Sequence, residues 1–113
     1  VNGCKYLSIQ EIRLIQDTNK KKQAGFSDAP SVLSITIKNK CKKCTLAGPD
    51  YTSLEVRDIL GNLVGKAMIN IIPDNGETST YFVPCNKSLD SLPSAYKISL
   101  PFYCLTLLWQ NKN

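Results

Sequence analysis

Hydrophobic and polar residues alternate with a period of two along several segments of the chain, which is the pattern of half-buried β-strands. Residues 31–38, SVLSITIK, show it most clearly, because Leu33, Ile35 and Ile37 share one face and polar residues occupy the other. Residues 77–85, ETSTYFVPC, form a second such segment, rich in β-branched and aromatic side chains. Both segments are therefore predicted to be strands.

Residues 51–72 have the pattern of a β-hairpin folded about Gly61-Asn62. A two-residue loop with glycine first is typical of a type II′ turn. Pairing Leu60 with Leu63 places the apolar residues of both strands on one face. The predicted cross-strand pairs on that face are Val56 with Ala67, Leu54 with Ile69, and Thr52 with Ile71. One apolar and one polar face predict that this hairpin covers a core on a single side.

Two segments have less regular patterns. In residues 5–16, the alternation changes phase, which predicts a strand with a bulge near Gln10-Glu11. A short helix capped by Ser8 is the competing interpretation. Residues 17–30 are polar and predicted to form a long loop without structure of its own.

Residues 95–110 are predicted to form the last strand. Pro101 has no N–H to donate, so it requires a bulge or an edge position there. The pattern as a whole predicts an all-β fold: a small antiparallel β-sandwich or flattened barrel of six to seven strands. With 113 residues, the chain is expected to be a single secreted β-domain over residues 1–113.

Five cysteines are many for a chain of this size, which favours an oxidising, extracellular location and disulfide stapling. Val1 in place of an initiator methionine is compatible with removal of a signal peptide. The expected disulfide-forming residues are Cys4, Cys41, Cys44 and Cys85. Cys104, within an apolar segment, is the expected free thiol. A redox Cys-Lys-Lys-Cys motif and a four-thiolate zinc site are the alternatives, and neither a metal nor a cofactor is expected.

The positive charge is concentrated in one region. Residues 20–43 contain seven lysines against Asp28 alone, whereas the rest of the chain has seven basic and eight acidic residues. A local excess of this kind attracts anionic partners. The predicted binding residues are Lys20, Lys21, Lys22, Phe26, Lys38, Lys40, Lys42 and Lys43. If the 17–30 loop folds over residues 38–43, all seven lysines share one face; the alternative is a solvated loop that protects a sheet edge.

The chain contains no histidine, so it has no histidine base and no Ser-His-Asp set. Asp58 and Asp74 lie at predicted turns, where aspartate also serves backbone hydrogen bonding. We therefore expect no enzyme activity and no catalytic residues. A small carboxylate-dependent hydrolase is kept as the second alternative function.

Asn86-Lys87-Ser88 matches the N-glycosylation sequon, and Asn86 is the glycosylation candidate of a possible glycoprotein. The first third of the chain also resembles the opening of plant tapetum-determinant-type secreted ligands. The residues that carry this resemblance are Cys4, Ile9, Ile12, Gln16, Pro30, Ile35-Thr36-Ile37, Asn39, Cys41 and Cys44. The later part of the chain lacks that family's Cys-Gly-Trp-like segment, and we rest no prediction on the resemblance.

These features predict a basic, cysteine-rich, secreted protein that binds a macromolecule without catalysis, in the manner of an effector or ligand. The expected partner is a protein or an acidic polysaccharide. An anion- or glycan-binding module of lectin type is the alternative function. Few aromatic residues lie among the lysines, so no specific nucleic-acid binding is expected, and no segment is apolar over the length of a transmembrane span.

Overall fold

The computed structural model describes residues 6–43, 52–69, 73–89, 95–100 and 105–110. These residues form seven strands and one short helix. Their bounds are β1 Leu7–Ile15, α1 Thr18–Gln23, β2 Val32–Asn39, β3 Thr52–Arg57, β4 Leu63–Ile69, β5 Thr78–Pro84, β6 Ala95–Leu100 and β7 Leu105–Gln110. The strands make two antiparallel sheets, ordered β1-β2-β5 and β4-β3-β6-β7. The all-β prediction is confirmed, and the barrel alternative is wrong because the two sheets do not close on each other.

The core takes residues from both sheets. Leu33 and Ile35 of β2 lie in the same buried cluster as Leu54 and Val56 of β3 and Ile98 of β6. Each is fully buried, and burial of an aliphatic side chain contributes about 1.5–3 kcal/mol to folding. The period-two pattern of residues 31–38 is thus confirmed, since Leu33 and Ile35 face inward while Ser34 faces outward.

The irregular N-terminal segment is a strand, and the helical interpretation is wrong. β1 pairs with β2 along its whole length, and the register shifts between Ile9 and Glu11, where the bulge was predicted. The bulge lets Leu7 and Ile12 both reach the core, although they are five positions apart and simple alternation would put them on opposite faces.

The central hairpin forms, but its predicted loop and register are wrong. Observed partners are Val56 with Gly65, Leu54 with Ala67, and Thr52 with Ile69. The register is displaced by two residues, so each strand keeps the predicted face towards the core. The connection is the five-residue loop Asp58–Asn62, because the Asp58 side chain accepts hydrogen bonds from backbone N–H groups and stabilises the longer turn.

Residues 17–30 are not an unstructured loop, because they contain α1. The Asp17 carboxylate accepts a 3.0 Å hydrogen bond from the N–H of Lys20, which is the usual capping arrangement at a helix N-terminus. The polar composition of the segment hid this helix, since α1 buries none of its residues and has no apolar stripe.

Residues 95–110 form two strands instead of the predicted one. β6 and β7 pair antiparallel, with Leu100 opposite Leu105 and Ala95 opposite Gln110. A single 16-residue strand would extend roughly 50 Å, beyond the 40 Å longest dimension of the molecule. Pro101, Cys104 and the rest of the 101–104 connection lie outside the described residues.

A short contact joins the two sheets beyond the end of β5. Cys85 forms an isolated antiparallel bridge with Gly65 of β4, and the N–H of Asn86 donates to the carbonyl of Val64 at 2.9 Å. A Cβ atom at Gly65 would lie 2.6 Å from the carbonyl oxygen of Pro84, so only glycine permits this approach. The segment after β5 is therefore fixed beside the start of β4.

Among the described residues, none of the helical structure has the length and apolar character needed to cross a bilayer.

Candidate binding surfaces

Residues 38–43, which we call the lysine loop, begin with the last two residues of β2, and buried and exposed positions alternate from Asn39 to Lys42. Asn39 and Cys41 are each 2% exposed, whereas Lys40, Lys42 and Lys43 are exposed to solvent. The side chains of Asn39 and Cys41 are buried, so the ammonium groups of the neighbouring lysines project outward. The predicted lysines of this segment are therefore held together at one edge of the molecule.

Asn39 is the anchor of the lysine loop. Its Nδ2 donates to the carbonyl of Pro73 at 3.0 Å and to Oδ1 of Asn75 at 3.2 Å. Its Oδ1 accepts from the N–H of Cys41 at 2.9 Å, which fixes the backbone on both sides of Lys40. The main chain adds two bonds to the same turn, since the N–H of Asn39 donates to Glu77 and its carbonyl accepts from Gly76. A buried amide satisfied in this way holds the loop in one conformation.

The charge of the lysine loop is only partly offset by nearby acids. The turn bonded to Asn39 brings Asp74 and Glu77 to the same end of the molecule. Over the residues that the structure describes, the ion pairs are those of Arg13 with Glu11 and of Glu55 with Arg57 and Lys66, so the four lysines of the loop form none there. Their charges remain open to solvent and to a partner.

The lysines of α1 form a second group. Lys20, Lys21 and Lys22 occupy the last turn of α1, and the Lys21 Nζ donates to the carbonyl of Ala29 at 3.0 Å. Phe26 is half-buried, and its N–H donates to the carbonyl of Lys21 at 2.9 Å. These contacts fold the 24–30 segment back on the helix, which is a stabilising role for one of the three lysines.

The two lysine groups lie at opposite ends of β2. Ile15, just before α1, pairs with Val32, while Leu7 pairs with Asn39 at the other end. The eight residues of β2 separate the ends by roughly 23 Å. The predicted seven-lysine face does not form, because β1 runs antiparallel to β2 and carries α1 away from the lysine loop.

The structure assigns different states to two of the predicted disulfide residues. Cys41 is disulfide-bonded, and Cys4, Cys44 and Cys104 lie outside the described residues. Cys85 is a free thiol that is only 3% exposed, so its prediction as a disulfide residue is wrong. The cause is the bridge to Gly65, which places Cys85 in the core, where burial raises the pKa of its thiol to about 11.

The carboxylates of Asp58 and Glu55 both have structural partners. Asp58 Oδ1 accepts from the N–H groups of Leu60 and Asn62, both at 2.9 Å, and Oδ2 accepts from Asn62 Nδ2 at 3.2 Å. The backbone bond from Asn62 is the main cause that lowers the pKa of Asp58, with a smaller effect from the charge of Lys87. Glu55 is paired with Arg57 and Lys66. Within the described ranges, no three metal-ligating side chains come together.

The sequence patterns missed the apex of the β3–β4 hairpin as a surface feature. Ile59 and Leu60 at this apex are 58% and 83% exposed, and Leu63 beside them is 39% exposed. The predicted two-residue loop pairs Leu60 with Leu63 and therefore gives no indication that both are exposed. An aspartate followed three residues later by glycine, as in Asp58-Ile-Leu-Gly61, is a turn signal that could have placed the longer loop.

Asn86 lies in the exposed segment after β5. Its Nδ2 donates to the carbonyl of Leu63 at 2.7 Å, so the predicted glycosylation site is next to the base of the hairpin loop. Glycosylation of Asn86 stays a prediction.

Comparisons with protein-family models, with curated proteins and with solved structures found no match.

Proposed function

We propose that this protein is a secreted, non-catalytic binding domain that engages an acidic macromolecular partner, with the lysine loop as its contact surface. The observation that carries the proposal is the Asn39 anchor, which keeps Lys40, Lys42 and Lys43 exposed on a fixed backbone. A loop that is already ordered loses little conformational entropy on binding, so its charges are used more effectively.

Secretion is part of the proposal and is supported by cysteine chemistry. Disulfides persist mainly in oxidising compartments, and Cys41 is disulfide-bonded. We propose that Cys4, Cys44 and Cys104 supply the remaining thiols of two disulfides, because Cys85 is the one thiol described as free. This pairing replaces Cys104 with Cys85 as the unpaired cysteine.

The absence of catalysis is likewise proposed from the roles of the carboxylates. The Asp58 carboxylate serves its own loop with both oxygens. Asp74 lies in a turn that its main-chain carbonyl closes by accepting the N–H of Glu77. Hydrogen bonds from its own loop lower the pKa of Asp58, whereas a general acid needs a raised pKa near its substrate. A protein partner is favoured over a lectin-type site, since lysines provide charge without the planar bidentate contacts that orient a ligand.

Two triple variants of equal charge change test the proposal. Lys40, Lys42 and Lys43 are replaced by glutamine in one variant, and Lys20, Lys21 and Lys22 in the other. Binding to a polyglutamate peptide, as a model of an acidic protein surface, is measured at several salt concentrations. We expect the first variant to lose about tenfold or more in affinity and much of its salt dependence, and the second to stay near the parent chain.

Equal losses of affinity in both variants would mean that only net charge matters. Unchanged affinity in the first variant would mean that the lysine loop does not contact the partner. Either result rejects the proposed surface. Binding to a heparin oligosaccharide but not to polyglutamate rejects the protein partner in favour of the glycan-binding alternative.

A further inference from the structure

The apex of the β3–β4 hairpin, residues 58–62, presents apolar side chains on a loop that is stabilised by its own polar groups. The N–H of Asp58 donates to the carbonyl of Asn62 at 2.9 Å, and the N–H of Gly61 donates to the carbonyl of Asp58 at 3.0 Å. Gly61 takes the positive φ of 89° that closes this turn. With these groups satisfied inside the loop, Ile59 and Leu60 are left as its outermost apolar surface.

Internal hydrogen bonding makes this apex suited to a poorly hydrated environment. The Asp58 carboxylate accepts two backbone N–H groups, and Arg57 Nη1 donates to the carbonyl of Gly61 at 3.2 Å. The N–H groups of Asp58, Leu60, Gly61 and Asn62 are thus all paired within the loop. A paired group loses less on leaving water than one that needs a solvent partner. The apex can therefore insert its two aliphatic side chains without unfolding the turn.

Cationic side chains surround the base of the apex. Arg57 lies directly before the loop and is paired with Glu55, and exposed Lys97 on β6 is its cross-strand neighbour. Lys87 is close enough to Asp58 for its charge to act on that carboxylate. The only acidic side chain in the loop itself, Asp58, is occupied by the bonds described above. An apolar point with a basic rim complements an anionic bilayer, which has negative headgroups above a hydrocarbon layer.

We propose that the hairpin apex inserts Ile59 and Leu60 into the interfacial layer of an anionic phospholipid membrane, while Lys87 and Lys97 contact the headgroups. A protein pocket fits the apex less well, because protein hot spots are enriched in tryptophan, tyrosine and arginine and depleted in leucine. The apex lies beyond the Cys85–Gly65 bridge, at the end of β5 away from the lysine loop. The inference does not rest on the proposed partner of that loop.

Vesicle sedimentation tests the proposal with the whole chain. Vesicles contain phosphatidylcholine alone or a mixture with phosphatidylserine. We expect binding to the mixed vesicles and weak binding to phosphatidylcholine, and a loss of about tenfold or more in the double variant Ile59→Ser, Leu60→Ser. Met68→Ser is the matched control, since Met68 is 63% exposed on β4 near the opposite end of that strand, and it should bind like the parent.

A second readout places the apex directly. In a Leu60→Trp variant, we expect the fluorescence of the introduced indole to shift to shorter wavelength with mixed vesicles, beyond any change that Trp109 gives in the parent chain. The replaced residues are exposed, so circular dichroism should confirm that each variant is folded. Failure of the parent to bind mixed vesicles, or equal binding by the double variant, overturns the membrane assignment and points to a protein pocket instead.

Discussion

At the scale of single residues, Asn39 determines the geometry of the lysine loop. Its side chain connects the end of β2 with Pro73 and Asn75 on one side and with Cys41 on the other. The carboxamide has two donors and one acceptor oxygen, and both ends are used. No sequence pattern identified this role, because an asparagine at the end of a strand is equally typical of an exposed turn.

We expect Asn39→Ala to lower the free energy of unfolding by about 1–3 kcal/mol, since it leaves buried backbone groups without partners. Asn75→Ala is the control, because Asn75 is exposed and replacing it leaves the bonds of Asn39 to Pro73 and Cys41 intact. Urea unfolding followed by circular dichroism measures both. An Asn39→Ala variant as stable as the parent would contradict the anchoring role.

Cys85 gives a prediction about thiol chemistry. Burial raises the pKa of its thiol to about 11, so the folded protein keeps it protonated and unreactive at pH 8. We expect iodoacetamide to label no cysteine in the native, unreduced protein and to label one, Cys85, after unfolding in urea. Cys85→Ala should abolish that label.

The same shift predicts a pH dependence. The thiol ionises more readily in the unfolded chain, whose cysteine pKa is near its ordinary value of 9.0, so its contribution to stability is lost as the pH rises from about 9 towards 11. Cys85→Ala should lack this part of the alkaline decrease. Labelling of the native protein, or of a different cysteine, would contradict the assignment.

At the scale of elements, strands with strict alternation were predictable and connections were not. β2 and β5 follow from their own residues, and the bulge in β1 follows from the phase change at Gln10-Glu11. The hairpin loop depends on Asp58, whose carboxylate stabilises five residues where glycine alone suggested two. α1 begins after a capping aspartate and has no apolar stripe, so hydrophobic periodicity could not predict it.

We expect the loop to depend on the ionised form of Asp58. Hydrogen bonds from the loop lower the pKa of this carboxyl below its ordinary value of 3.8, so its contribution to stability is present above about pH 4 and is lost as the pH falls through the lowered pKa. Hydrogen exchange at the Leu60 and Asn62 amides is measured from pH 5 to pH 2 in the parent chain and in the Asp58→Asn variant. As the pH falls, these amides should lose protection in the parent but not in the variant. Parallel pH trends in both proteins would contradict this.

At the scale of the whole molecule, antiparallel pairing of β1 and β2 separates two groups of lysines that lie close together in the sequence. The sequence showed that the basic residues are concentrated between positions 20 and 43, and that much was correct. It could not show that one strand would carry Lys20, Lys21 and Lys22 to the far end from Lys40, Lys42 and Lys43. The outcome is a molecule with two different basic ends, of which the lysine loop is the one fixed by a buried side chain.

Backbone amide chemical shifts during titration with polyglutamate test this central claim most directly, because they locate the contact on the folded chain without any substitution. We predict that the amides of residues 40–43 shift progressively while those of Thr18–Gln23 stay unchanged. Shifts confined to Thr18–Gln23, or equal at both ends, would contradict the assignment of the lysine loop as the binding surface.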